Sequence, residues 1–384
     1  MTVTAAEPKL TSYDEVPYPR QAFPQTHPDR LAAIATLFGL KPPAIDKCRV
    51  LELACACGDN IIPMACTFPE AQFVGVDLSS RELAEGQKLV EQLGLKNIEL
   101  KHLDILAVDE SLGKFDYIIA HGIFSWGSEE VQEKLLKICR EHLNPNGVAY
   151  VSYNIYPGWH YRGMIRDMML YHTKELKLPA ERAQQARALL DFLANNVPAE
   201  NSAYGQMLQS EVQLLRQLTD SYFLHDHLEE TNQPLYFHQF IERANKHNLQ
   251  FLGEADFATM ITSNLSKEID ETLARISGDI IRTEQYMDFI RNRTFRQTLL
   301  VHSETPVRRA LGPLSVMPFY VGSPAKTSKG DANDPAPVIN TNDPMLKAAF
   351  DYLAEIWPAT VKFGDLVKVA RERSKTNGAN DADS

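Results

Sequence analysis

Between Cys48 and Asn154 the chain alternates short apolar runs with longer amphipathic ones. CRVLELA, QFVGVDL, NIELKHLD, FDYIIAHG and GVAYVSYN are β-branched or aromatic stretches of strand length. IIPMACTF, RELAEGQKLVEQLG and EEVQEKLLKICREHL lie between them and carry apolar residues at helical spacing. Asn60 stands where it can cap the helix that follows, with Pro63 in the first turn, where a missing N–H is harmless. Gly94 and the Asn144-Pro145-Asn146-Gly147 cluster stop two other helices. Strands that alternate with helices predict a parallel sheet covered on both faces.

The rest of the chain is patterned differently. Residues 11–45 are rich in Pro and aromatics around a short helical patch, RLAAIATLFGL, and residues 160–230 are helical almost throughout. YFHQFIERANKHN then reads as a helix, LQFLGEADF as a strand, KEIDETLARISGDIIRTEQYMDFIRN as helical and TFRQTLLVHS as a strand. These two strands are expected to complete the same sheet, with the helical segments as insertions; the competing arrangement is a separate α+β domain. The plan is an arm at 1–45, an α/β domain at 46–160 and a helical region completing the sheet at 161–321. A Gly/Pro/Ser/Asp-rich linker at 322–345 and a short helical segment at 346–384 follow. The first ten residues and the tail TNGANDADS are expected to be disordered.

Composition narrows the classes. A 384-residue chain with 44% hydrophobic residues builds a sizeable core. A net charge of −11 argues against a sequence-independent grip on nucleic acid. Five scattered cysteines, an N-terminus without a basic start and apolar core, and the lack of any 18-residue apolar stretch predict a reduced, cytoplasmic, non-membrane protein.

The candidate chemistry sits at two strand ends. VLELACACGDN places Glu52 inside an apolar strand, followed by small residues at Ala54, Ala56 and Gly58, and Asp77 closes FVGVD one βα unit later. A buried carboxylate is costly unless it has a task. Small turn residues let backbone approach a ligand, and an acid at the second strand end accepts ribose hydroxyls. The pattern therefore describes a site for a nucleoside-bearing cofactor. A dinucleotide turn requires G-x-G-x-x-G, and that spacing is absent. Asp77 also reads as a helix cap in competition with Ser79, and Asp104 as an ordinary loop acid. Cys55 and Cys57 lack the second pair of a zinc site, as do His225, His227 and His238, so no metal is expected.

The E-x-small-x-small-x-G turn resembles motif I of the class I S-adenosylmethionine-dependent methyltransferases. The resemblance implies an α/β fold: a Rossmann-like class I methyltransferase sheet with helices on both faces. To this it adds a helical insertion or regulatory region and a short C-terminal helical segment. It implies S-adenosyl-L-methionine as cofactor, held by Glu52, Ala54, Ala56, Gly58, Asn60, Asp77, Leu78, Asp104, Ile105 and Gly122. SYDEVPYPRQAFPQTHPDRLAAIATLFG, HGIFSW, YVSYNIYPGW and YFHQFIERANKHNLQFLGEADF look more specifically like bacterial methyltransferases with a methyltransferase regulatory domain. Some of those methylate protein lysines, and many continue well beyond the point where this sequence stops.

By that resemblance His121, Tyr153 and Tyr13 face the chemistry, while Trp126, Tyr156 and Trp159 hold the acceptor. Tyr18, Phe23, His27 and Arg30 belong to an arm that folds over the cofactor. Packing roles stand beside these readings for Phe23, Phe38 and Trp159. The implied partner is a protein or small-molecule methyl acceptor, with a homodimer through the helical region. The departures are Ala54, Ala56 and Asp59, where glycine is usual. An alanine held at positive φ costs on the order of 1 kcal/mol, which keeps open a catalytically weakened binding module.

Overall fold

The computed structural model describes Val16 and residues 19–262, 265–327 and 336–380. Tyr13 and Tyr18 lie outside the described residues. The chain divides into two compact units, residues 1–34 with 41–305, and residues 35–40 with 306–384.

In the first unit, β1 (Arg49–Leu53), β2 (Gln72–Asp77), β3 (Ile98–His102), β4 (Phe115–Ala120) and β5 (Leu143–Asn154) arise from the five predicted apolar runs. Helix α1 (Pro28–Leu37) precedes them, and α2 (Ile61–Thr67), α3 (Ser80–Leu93) and α4 (Glu129–His142) are the crossovers. β1 to β5 pair in parallel, and all but the edge strand β3 are buried along most of their length, as strands covered on both faces must be. Ser79 and Ser128 cap α3 and α4 through their hydroxyls, and Gly94 ends α3 in the left-handed region at φ 66°.

The helical region is four helices, α5 (Gly158–Thr173), α6 (Pro179–Asn196), α7 (Ala203–Leu215) and α8 (Asp220–His227). They close on their own core, which includes Met169, Ala186, Leu208, Val212 and Phe223. Then follow α9 (Phe237–Lys246), β6 (Leu249–Glu254), α10 (Lys267–Ile276), α11 (Ile280–Arg291) and β7 (Phe295–His302). KEIDETLARISGDIIRTEQYMDFIRN is thus two helices, broken where Gly278 takes φ +77° and Asp279 starts a new cap. β6 and β7 belong to the one seven-stranded sheet, in the order β3-β2-β1-β4-β5-β7-β6, with β7 antiparallel to both neighbours. Strand order reverses at β1, between β2 and β4, so ligands are expected outside the carboxyl end of β1.

The second unit holds a helical turn at Pro313–Val316 and a small ladder of β8 (Tyr320–Val321) with β9 (Val361–Lys362). Its helices are α12 (Pro344–Ile356) and α13 (Phe363–Asn380). α13 continues to Asn380, through the first part of the tail expected to be disordered. Among the described residues no helix is long and apolar enough to cross a membrane.

Candidate cofactor site

The turn after β1 takes the conformation that glycines normally supply. Ala54, Ala56 and Gly58 sit at φ 58°, 50° and 79°. Cys55 N–H donates to the Val76 carbonyl at 3.1 Å, and Ala56 N–H donates to Asp77 Oδ2 at 2.8 Å, so the turn is stitched to the end of β2. Two glycines outside the turn make room for it. A Cβ on Gly75 of β2 would lie 2.6 Å from Cys55 Sγ, and one on Gly86 of α3 would lie 2.1 Å from the Cys57 carbonyl oxygen. Cys55 and Cys57 are buried, and burial is the main cause that raises both thiols. Restoring glycine at Ala54 or Ala56 is expected to stabilise the fold by about 1 kcal/mol per site, read as a shift in the denaturant midpoint.

Glu52 is 4% exposed at the end of β1. Its Oε1 accepts from Asn60 Nδ2 at 2.7 Å, and its Oε2 has no hydrogen-bond partner among the described residues. Burial pushes its pKa up to about 8, against the pull of the Asn60 amide. Asn60 does not cap α2 as expected; its side chain reaches back instead. Asn60 Oδ1 accepts from Phe23 N–H at 2.9 Å, and its amide group meets the buried Thr26 hydroxyl at 3.0 Å. The amide thereby ties the cofactor turn to the N-terminal arm, across 34 to 37 residues of sequence.

A carboxyl whose folded pKa lies above its unfolded value costs stability as pH rises from the unfolded pKa, near 4.5, to the folded one, about 8. Glu52→Gln removes that cost. The ligand-free variant is therefore expected to gain on the parent between pH 5 and pH 8 by roughly 1.4 kcal/mol for each pH unit crossed. Urea titrations at the two pH values measure the difference; a constant offset contradicts it.

Asp77 and the residues expected beside it lie at the ends of β2 and β3. Asp77 accepts from Ala56 N–H and Ser79 N–H, each at 2.8 Å, while Ser79, not Asp77, caps α3. Leu78 is 52% exposed beside it. Asp104 is exposed and caps a short turn through Leu106 N–H at 2.9 Å. Ile105 is buried in the main core, so its side chain is not an open face for an adenine ring.

His121 and Gly122 stand at the end of β4. Phe23 of the arm lies against the imidazole with ring centroids 3.9 Å apart, and Phe295 meets it edge-on at 6.0 Å. Nδ1 contacts the Tyr150 hydroxyl at 2.9 Å, and Ser152 Oγ accepts from Gly122 N–H at 2.8 Å. Burial drives the His121 pKa down to about 4, so the ring is neutral at pH 7.

Tyr153 is misplaced by the sequence reading. It is 1% exposed, stacked on Phe240 at 4.0 Å, and its hydroxyl is taken by Thr298 at 2.9 Å. It belongs to the core, and the tyrosine that reaches His121 is Tyr150. Successive strand residues face opposite sides, so Tyr150 and Ser152 share one face and Tyr153 takes the other.

Trp126, Tyr156 and Trp159 form a separate aromatic group. Trp159 is buried and meets Trp126 edge-on at 6.3 Å, while Tyr156 stacks on His160 at 3.9 Å and lies 5.4 Å from Tyr236. None of their described ring contacts reaches His121. The glycine of the PGW string has a packing reason: a Cβ on Gly158 would lie 2.5 to 2.8 Å from Thr294, Arg293 and Asn292. Arg30 of the arm donates to the Ala255 carbonyl at 2.5 Å, at the end of β6.

A family model described as a methyltransferase domain matches residues 50–147, and one described as a predicted methyltransferase regulatory domain matches residues 219–302. An uncharacterised protein of Rickettsia prowazekii is 45% identical over 309 residues, which cover 80% of this chain and 56% of that protein. The chain thus spans little more than half the length of that relative. A second from the same organism is 43% identical over 241 residues, 63% of this chain and 96% of that protein. The solved structure of PKMT2 from Rickettsia typhi in complex with AdoHcy matches with a TM-score of 0.83 at 39% identity, covering 93% of this chain and 72% of that one. With the strand order, the turn after β1 and these similarities together, the chain belongs to the class I S-adenosylmethionine-dependent methyltransferases that carry a methyltransferase regulatory domain.

Proposed function

We propose that the protein transfers a methyl group from S-adenosylmethionine to a protein side chain, with lysine as the acceptor. The observation that carries the cofactor part is Glu52: a buried carboxyl with one unpartnered oxygen beneath a left-handed turn that is bonded to Asp77. That set fits a cofactor bearing both an ammonium and a ribose. Glu52 and the 54–58 turn would hold the amino-acid end and Asp77 the ribose hydroxyls, with Leu78 and Asp104 on the adenine side. When bound, the cofactor supplies a sulfonium methyl open to in-line displacement.

The protein's own share is orientation and exclusion of water. Phe23 and Phe295 close two sides of His121, and the neutral imidazole, held by Tyr150, accepts a hydrogen bond from the incoming amine and aims its lone pair. A base with a pKa near 4 does not retain the amine proton at pH 7, so that proton leaves to water. Lysine rests on the likeness to PKMT2 from Rickettsia typhi and on the resemblance to bacterial methyltransferases with a regulatory domain, some of which methylate protein lysines. A homodimer through the helical region is part of the same proposal, supported by Tyr171, Leu178 and Phe192, each more than half exposed there. Size-exclusion chromatography tests it.

The deciding experiment pairs calorimetry with transfer. S-adenosylhomocysteine is expected to bind, and labelled S-adenosylmethionine is expected to mark proteins of a bacterial lysate in acid-stable form recovered as methyllysine. Binding without transfer favours a non-catalytic module, and no binding at millimolar ligand ends the cofactor reading.

A further inference from the structure

The acceptor side of the sheet's carboxyl edge carries a feature that methyl transfer itself does not explain. A cavity of about 430 Å³ opens there, lined by Ala258, Thr259 and the segment from Arg291 to Phe295. Its wall Phe295 is the ring that meets His121 edge-on at 6.0 Å. Arg291 and Arg293 are among its lining residues, and among the described residues no acid is, in a chain whose net charge is −11. Arg291 and Arg293 both donate to the Thr259 carbonyl, which fixes their side chains at the cavity. Asp288 is fully buried and bonded to Arg296 as well as to Arg293, and Asp256, three residues before Thr259, is paired with Arg30 at 3.8 Å. Burial and the neighbouring Arg293 hold Arg291 below its ordinary pKa, as expected where positive charge is incompletely offset.

We infer that this cavity is a specificity site that binds the carboxylate of an Asp or Glu flanking the acceptor lysine in the protein substrate. The inference rests on the lysine-acceptor reading above. A guanidinium fork matches a carboxylate in shape and charge. An extended chain rises about 3.3 Å per residue, so the cavity lies within reach of a residue one to three positions from a lysine at His121.

A lysine-centred peptide library with randomised flanks, passed over the protein loaded with S-adenosylhomocysteine, tests the site. Retained peptides are expected to show Asp or Glu enriched at least about tenfold over Lys and Arg at one flanking position. The enrichment should disappear in Arg291→Gln and fade for the parent protein in about 0.5 M salt, where the screening length is well below 10 Å. Arg291 is part-exposed and its bond among the described residues is to the Thr259 carbonyl, so its removal should leave the melting temperature in place, and the salt series needs no variant. Unbiased or basic enrichment, no retained peptides, or enrichment that survives in Arg291→Gln overturns the inference. Binding of S-adenosylhomocysteine, titrated separately, reports on the methyltransferase reading, so the two failures are distinguishable.

Discussion

Arg296→Gln is expected to remove about 3–5 kcal/mol from the folded state, the usual cost of stripping the cation from a buried ionic cluster. Arg296 on β7 is 1% exposed. Its guanidinium meets Glu254 of β6 at 2.7 Å and both Glu284 and Asp288 of α11 at 2.9 Å, and it lies 3.9 Å from the centroid of Phe237 on α9. Glu254 also accepts from the Thr298 hydroxyl at 2.7 Å, and Thr298 contacts Tyr153 at 2.9 Å. One side chain therefore joins two strands and two helices. Without it three carboxylates share a dry space with Arg293, 3.3 Å from Asp288, as the ion-pair partner left among the described residues. Burial already raises Glu284 and Asp288 with Arg296 in place.

In the variant those carboxyls must stay protonated or admit water. Their folded pKa values then lie further above the unfolded ones, so the penalty grows as pH rises and shrinks toward pH 4. Urea titrations of parent and variant at pH 5 and pH 8 should diverge more at pH 8. Arg296→Lys keeps the charge but loses the fork and should fall between them. A loss below 1 kcal/mol for the Gln variant would falsify the cluster as a structural keystone.

Most of the seven strands were legible because a strand buried on both faces is a short apolar run, while β3, IELKH at the sheet edge, showed itself by alternation instead. Glu52 was legible for the converse reason: an acid within such a run has no packing explanation. What failed depends on partners distant in sequence. Each face of β5 carries a tyrosine, so its aromatic positions do not say whether Tyr150 or Tyr153 faces the site. Asn60 is placed as a helix cap would be, but Thr26 and Phe23, 34 and 37 residues away, engage its side chain. Glu254, Glu284, Asp288 and Arg296 read singly as solvated charges and acquire meaning only when β6, β7 and α11 bring them together. Signals were present at Gly75 and Gly86, since a glycine within a strand or helix marks close backbone approach. What approached them was not.

Gly86 therefore offers the sharpest test of the cofactor site. On helix grounds alone Gly86→Ala should stabilise α3 by about 0.5–1 kcal/mol. The added methyl, however, would sit 2.1 Å from the Cys57 carbonyl oxygen and 2.7 Å from Leu100. Leu100 can turn aside, but the carbonyl is backbone of the cofactor turn. Gly58 N–H is bonded to the Cys55 carbonyl at 2.8 Å and Ala56 N–H to Asp77, so the turn can yield only by moving as a unit and loosening those bonds. Overpacking of this kind costs about 1–3 kcal/mol or more. At 1.4 kcal/mol per decade, affinity for S-adenosylhomocysteine should fall by about tenfold to a hundredfold. Gly163→Ala is the control: it lies inside α5, and its added methyl meets nothing within 4 Å. That variant should gain the helix propensity and bind the cofactor as the parent does. If calorimetry gives Gly86→Ala the parent affinity, the turn is not held in its binding geometry by contact with α3.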